Sequence, residues 1–97
     1  MANKPFAEPN TTGSYNVAIG TSALKSSTTA DNNVAVGKYA LYSNTTGTNH
    51  TAVGYLALNA LTNTNDACTA VGASAGALIT TGYGNSILGT LAMSNTG

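Results

Sequence analysis

"NNVAVGKYALYSNTTGTNHTAVGYLAL", from Asn32 to Leu58, says nearly the same thing twice. "NVAVG" at 33–37 returns as "HTAVG" at 50–54, 17 residues later. The phrase extends in both directions, as "NVAIG" at 16–20, "CTAVG" at 68–72 and "NSILG" at 85–89. The closing glycines are Gly20, Gly37, Gly54, Gly72 and Gly89, at spacings of 17, 17, 18 and 17. Three positions after each glycine comes an alanine: Ala23, Ala40, Ala57, Ala75 and Ala92. The next residue is Leu24, Leu41, Leu58, Gly76 or Met93. A polar stretch then closes the copy, with Thr-Thr-Gly at 11–13, 45–47 and 80–82. A fixed period of this kind signals a repeat architecture and governs the rest of the reading.

Side chains alternate across a strand, so Val34 and Val36 share one face and Ala35 takes the other. Over five copies the first face holds Val17/Ile19, Val34/Val36, Thr51/Val53, Thr69/Val71 and Ser86/Leu88. These are mostly the β-branched residues that a packed pleated surface prefers. The second face holds Ala18, Ala35, Ala52, Ala70 and Ile87, small enough to admit another layer or another chain. Glycine ends the strand at a bend. The segment after it is open between a short helical turn and a second short strand, and "NTTG" reads as a turn. Seventeen residues are too few for leucine-rich or helical-pair repeats and fit one coil of a β-roll. The expected fold is all-β: a parallel β-roll or β-solenoid of about five 17–18-residue rungs over residues 13–97, with residues 1–12 as an extended arm or cap. Coils about 4.8 Å apart would give a rise of roughly 24 Å.

Composition supports one domain and narrows the partners. Only 6% of the 97 residues are charged, with a formal net charge of zero, against roughly 25% charged in ordinary domains. That leaves no electrostatic footprint for nucleic acid or an anionic membrane surface. A hydrophobic content of 42%, regularly placed, argues against disorder. No apolar run is long enough for a membrane span, and "MANKPFAEPN" lacks the apolar centre of a signal peptide. The single Cys68 excludes an intrachain disulfide. A core of mostly Ala, Val, Leu and Ile in so short a chain is marginal alone, which points to stacking or oligomerisation for stability.

The repeat also sorts the candidate sites. Asn16, Asn33 and Asn85 occupy one slot, where stacked Asn side chains can hydrogen-bond from rung to rung as ladders do in cross-β structure. His50 and Cys68 stand in the same slot and would lie one above the other. They are the only pair suggesting a nucleophile or a metal site, against the plain reading of two tolerated substitutions. No catalytic residue or cofactor is assigned, and the chain reads as a non-enzyme. Tyr15, Tyr39, Tyr42, Tyr55 and Tyr83 cluster around the turns. They either cover the Ala-rich faces or stack on sugars, with Tyr39, Tyr42 and Tyr55 as the candidate ligand contacts. Lys25, Lys38 and Asp31 read as solvated edges. Glycosylation sequons occur at Asn10, Asn44 and Asn49.

The series "NVAIG…NVAVG…TAVG…TAVG" resembles the SVAIG-type repeats in head domains of trimeric autotransporter adhesins (YadA-like). The longer form "NxAVGxxALxxNTTGxN" is similar to repeats in tail fibres and related fibrous proteins of phages and prophages. The resemblance covers residues 10–97. In the adhesin heads each chain is a left-handed parallel β-roll, and three rolls pack together. The resemblance therefore implies a homotrimeric attachment fibre or spike. Its place would be a virion surface, a cell surface or the extracellular space, and its partner a cell-surface glycan or protein receptor. The adhesin head repeat is shorter, so the extra residues here form a longer excursion in each coil.

Two other expectations stand beside it. A solenoid leaves strand edges at its ends. The prolines of "KPFAEPN" suit a cap or tether, whereas the last copy stops within a turn. Either the natural chain continues or the open end meets another copy, giving an end-to-end filament in which residues 1–9 reach into the neighbour. An ice-binding solenoid would need a flat Thr array, and Val17, Val34 and Ser86 interrupt the row of Thr51 and Thr69.

Overall fold

The computed structural model describes residues 14–62, 67–81 and 84–93. Five three-residue strands follow one another: β1 (Val17–Ile19), β2 (Val34–Val36), β3 (Thr51–Val53), β4 (Thr69–Val71) and β5 (Ser86–Leu88). They form one parallel sheet in sequence order. The register is that of the repeat, with Val17 beside Val34, Val34 beside Thr51, Thr51 beside Thr69 and Thr69 beside Ser86. The five strands delimit four complete coils of an all-β solenoid. Residues 1–13, which include Gly13, Asn10 and the expected arm, lie outside the described residues, as do Gly82 and Tyr83.

The small alanine face admits a second layer, as expected, and that makes it the inner face. Ala18, Ala35, Ala52, Ala70 and Ile87 point inward and are buried. The β-branched face points outward: Val17 is 45% and Leu88 82% exposed, while Val34, Val36 and Val53 are half-buried. Alanine goes inside because the layer behind the sheet is close. That layer belongs to the same chain and brings its own alanines, Ala23, Ala40, Ala57 and Ala75, into the core. Leu24, Leu41, Leu58, Leu61 and Ile79 fill the space beside them. Burying each such leucine contributes about 1.5–3 kcal/mol relative to leaving it exposed.

The second layer is neither helix nor strand, and no helix occurs among the described residues. It is a run of consecutive turns. In the coil that starts at Gly37, the Ala40 N–H donates to the Gly37 carbonyl (3.1 Å), Tyr42 to Tyr39 (3.2 Å) and Asn44 to Leu41 (3.2 Å). The intervening N–H groups donate to neighbouring coils: Tyr39 to Thr21 (3.0 Å), Leu41 to Ala57 (3.0 Å) and Ser43 to Asn59 (3.2 Å). Alternate residues take positive φ, +64° at Tyr39 and +51° at Leu41, as the third residue of a type II turn must. Leucine resists that conformation by about 1–2 kcal/mol. It is tolerated here because each turn residue is buried, hydrogen-bonded, or both.

The glycine that ends each strand is required on two counts. Gly37 has a φ of +127°, and a Cβ placed on it would lie 2.6 Å from the Gly54 carbonyl oxygen. The corners of successive coils are stacked glycine on glycine, so no side chain fits between them.

Candidate functional surfaces

The asparagine slot is an internal ladder whose rungs run from side chain to backbone. Asn16 Oδ1 accepts the Asn33 N–H (2.9 Å), and Asn33 Oδ1 accepts the His50 N–H (2.8 Å). His50 Nδ1 then accepts the Cys68 N–H (3.2 Å). Asn16 and Asn33 also donate their amide N–H to the carbonyls of Ala30 (2.8 Å) and Gly47 (2.9 Å). Each such Asn thus links its strand to the next coil and to the corner before it. Histidine fits because Nδ1 sits at the same branch position as Asn Oδ1 and can accept in its place. Cys68 Sγ accepts the Asn85 amide at 3.8 Å, the weakest link of the series.

His50 and Cys68 are therefore brought together, as the slot predicts. Both are buried, and the bond between them uses the Cys68 backbone N–H. Among the described residues no three His, Cys, Asp or Glu side chains converge as a metal site would require. Their position gives them the ladder role of Asn33.

The four described tyrosines are not part of the buried cluster at the Ala-rich faces, which the core Ala and Leu side chains fill. Tyr15 and Tyr55 are exposed, and Tyr39 and Tyr42 are half-buried in the turn layer. The Tyr39 and Tyr42 rings meet edge to face, with centroids 5.3 Å apart and an interplanar angle of 86°. Such a pair contributes about 0.5–1.5 kcal/mol beyond its area burial. Lys38 Nζ stands 5.1 Å from the centre of the Tyr39 ring, within cation–π reach. Tyr55 is in the next coil, where the Leu56 N–H donates to the Lys38 carbonyl (3.0 Å). The three candidate contacts thus fall on neighbouring coils.

Lys25 and Lys38 are exposed as expected, but Asp31 is not merely a solvated edge. Its Oδ1 accepts the Ser14 N–H (2.7 Å) and its carbonyl the Asn49 N–H (3.2 Å), so it ties three coils at their corners. The sequons also separate. Asn44 is buried and exchanges two hydrogen bonds with Gly47 (3.1 Å each), closing a turn, whereas Asn49 is exposed.

The sequence alternation left open which strand face points outward, and it is the β-branched one. The outward strand face carries an unbroken row of Ile19, Val36, Val53, Val71 and Leu88, beside a second row that begins with Val17 and Val34 and continues as Thr51, Thr69 and Ser86. Nothing in the described part of the chain packs over it. The signal for this was the second alanine column, Ala23 to Ala92, which already supplies a partner for the strand alanines.

In comparisons with known proteins, the chain matches no family model, no curated protein and no solved structure.

Proposed function

We propose that the chain is a structural repeat segment of a homotrimeric attachment fibre or spike, without catalysis of its own. The observation that supports this most is the outward β-branched stripe. A parallel sheet face of Val, Ile and Leu left in water is a standing site for association. A neutral chain sets no charge barrier between its own copies. Copies that share the stripe about a common axis would bury it and leave the turn layer outside. This reading agrees with the resemblance to adhesin-head and tail-fibre repeats. In it the solenoid is a stiff spacer, displayed at a virion or cell surface, whose outer layer meets a glycan or protein receptor.

A second reading is the end-to-end filament. Among the described residues β1 and β5 each pair on one side only, and an open parallel edge is a template for another coil. Light scattering and electron microscopy of the purified protein separate the two. The fibre reading expects discrete particles of three times the 9.6-kDa chain mass. Long polymers would favour the filament, and a monomer at every concentration would overturn both.

A further inference from the structure

The aromatic cluster is also where the positive charge lies. The chain has three basic residues, and two of them, Lys25 and Lys38, border the tyrosines. Lys38 stands at the Tyr39 ring. Lys25 occupies the slot of Tyr42 one coil away, where the Ser26 N–H donates to the Tyr42 carbonyl (3.3 Å). The one described acid, Asp31, sits in the far corner of the coil, its carboxylate engaged by Ser14. Stacking does not call for this chemistry. The same slots elsewhere hold Thr21 and Ala73, Ser22 and Ser74, and Asn59 and Ala77. Exposed Tyr55, Lys25 and Lys38 beside the half-buried Tyr39–Tyr42 pair, on adjacent coils, are therefore a departure from the repeat that stacking of the coils does not require.

We propose that Lys25, Lys38, Tyr39, Tyr42 and Tyr55 form a shallow platform for a carboxylated sugar at the end of a surface glycan. The C–H face of a pyranose packs on an aromatic ring face. Phenolic hydroxyls both donate to and accept from sugar hydroxyls. A lysine ammonium beside the rings takes the carboxylate in a charge-assisted hydrogen bond. Tyr39 and Tyr42 are half-buried members of the turn layer and not of the strand face, so a trimer built on the stripe need not cover them. The proposal rests on the attachment reading for its biological sense, but its binding chemistry is independent of oligomeric state.

The test is saturation-transfer NMR on the full chain with 3′-sialyllactose and lactose as probes. The sialylated sugar is expected to receive saturation, and lactose at least fivefold less. Lys38→Thr and Tyr42→Asn install residues that the same slots already carry in other coils, so the fold tolerates them. Each is expected to weaken sialyllactose binding at least fivefold with an unchanged circular dichroism spectrum. Tyr39→Ser serves as a second aromatic variant on the same grounds. Absent transfer, equal transfer from both sugars, or undiminished binding in the variants overturns the platform. Light scattering on the same samples keeps the readings apart: a monomer that binds sinks the trimer alone, and a trimer that does not bind sinks the platform alone.

Discussion

The coil that begins at Gly72 departs from the repeat at two places that compensate each other. Gly76 stands where other coils have Leu24, Leu41, Leu58 and Met93, and Ile87 stands where other strands have alanine. A Cβ built on Gly76 would lie 2.9 Å from Leu58 Cδ2 and 3.0 Å from Ile87 Cδ1. The space of the missing leucine is therefore shared by Ile87 from the following strand and Leu58 from the preceding coil. Ile87→Ala empties it and should cost about 3 kcal/mol, within the range for buried aliphatic truncations. Gly76→Leu overpacks it and should cost about 2 kcal/mol. Part of that cost is its φ of +64°, a strained conformation that Leu24, Leu41 and Leu58 also hold at +51° to +56°. Independent effects would make the double variant about 5 kcal/mol less stable. We expect a loss of no more than about 2 kcal/mol, because the new leucine occupies the room that Ile87 gave up, a coupling of about 3 kcal/mol. Urea unfolding of the four proteins, followed by far-UV circular dichroism at one protein concentration, measures it. Effects that add to within about 0.5 kcal/mol would refute the exchange of volume between the two layers.

The remaining predictions address the corners, the ladder and the stripe. Gly37→Ala should cost more than about 4 kcal/mol, whereas Gly84→Ala, whose Cβ would meet nothing within 4 Å, should cost about 1 kcal/mol for its positive φ. Equal shifts in thermal melts would contradict the glycine-on-glycine corners. Asn33→Ala strands the buried His50 N–H, while the Gly47 carbonyl keeps the Asn44 amide, and should cost about 1–3 kcal/mol. His50→Asn keeps an acceptor for Cys68 and should stay within about 1 kcal/mol of the parent in denaturant titrations. Replacing both Val36 and Val53 by Lys alters only the outward face and should leave the dichroism spectrum intact. The same variant should sediment as a monomer, and an unchanged assembly would remove the stripe from the interface.

The features that were legible in the sequence are those imposed by stacking itself. Gly37 cannot change without meeting Gly54, so the corner glycines keep a visible register, and the strands inherit it. The alternation of Val34, Ala35 and Val36 was equally plain, but which face turns inward was not. β-branched residues suit a packed surface, and only the distance between layers decides that alanine belongs inside. The turn layer was illegible for a different reason. Tyr39 and Leu41 carry positive φ against their own preference. That conformation is held by hydrogen bonds to Thr21 and Ala57 in other coils, which no local propensity encodes. The ladder slot was visible through Asn16, Asn33 and Asn85. Its partners were not, because they are backbone N–H groups of the next coil. The grouping of Lys38, Tyr39 and Tyr42 was hinted at by adjacency, whereas the approach of Lys25 and Tyr55 depends on the stacking period.

The most direct test of the account is NMR detection of couplings across the backbone hydrogen bonds of the strands. A parallel stack requires the Val34 N–H to couple to the His50 carbonyl and the Gly54 N–H to the Val36 carbonyl. The same offsets should recur, within a residue, from coil to coil. Reciprocal pairs typical of antiparallel hairpins, or couplings four residues back along the chain, would contradict it.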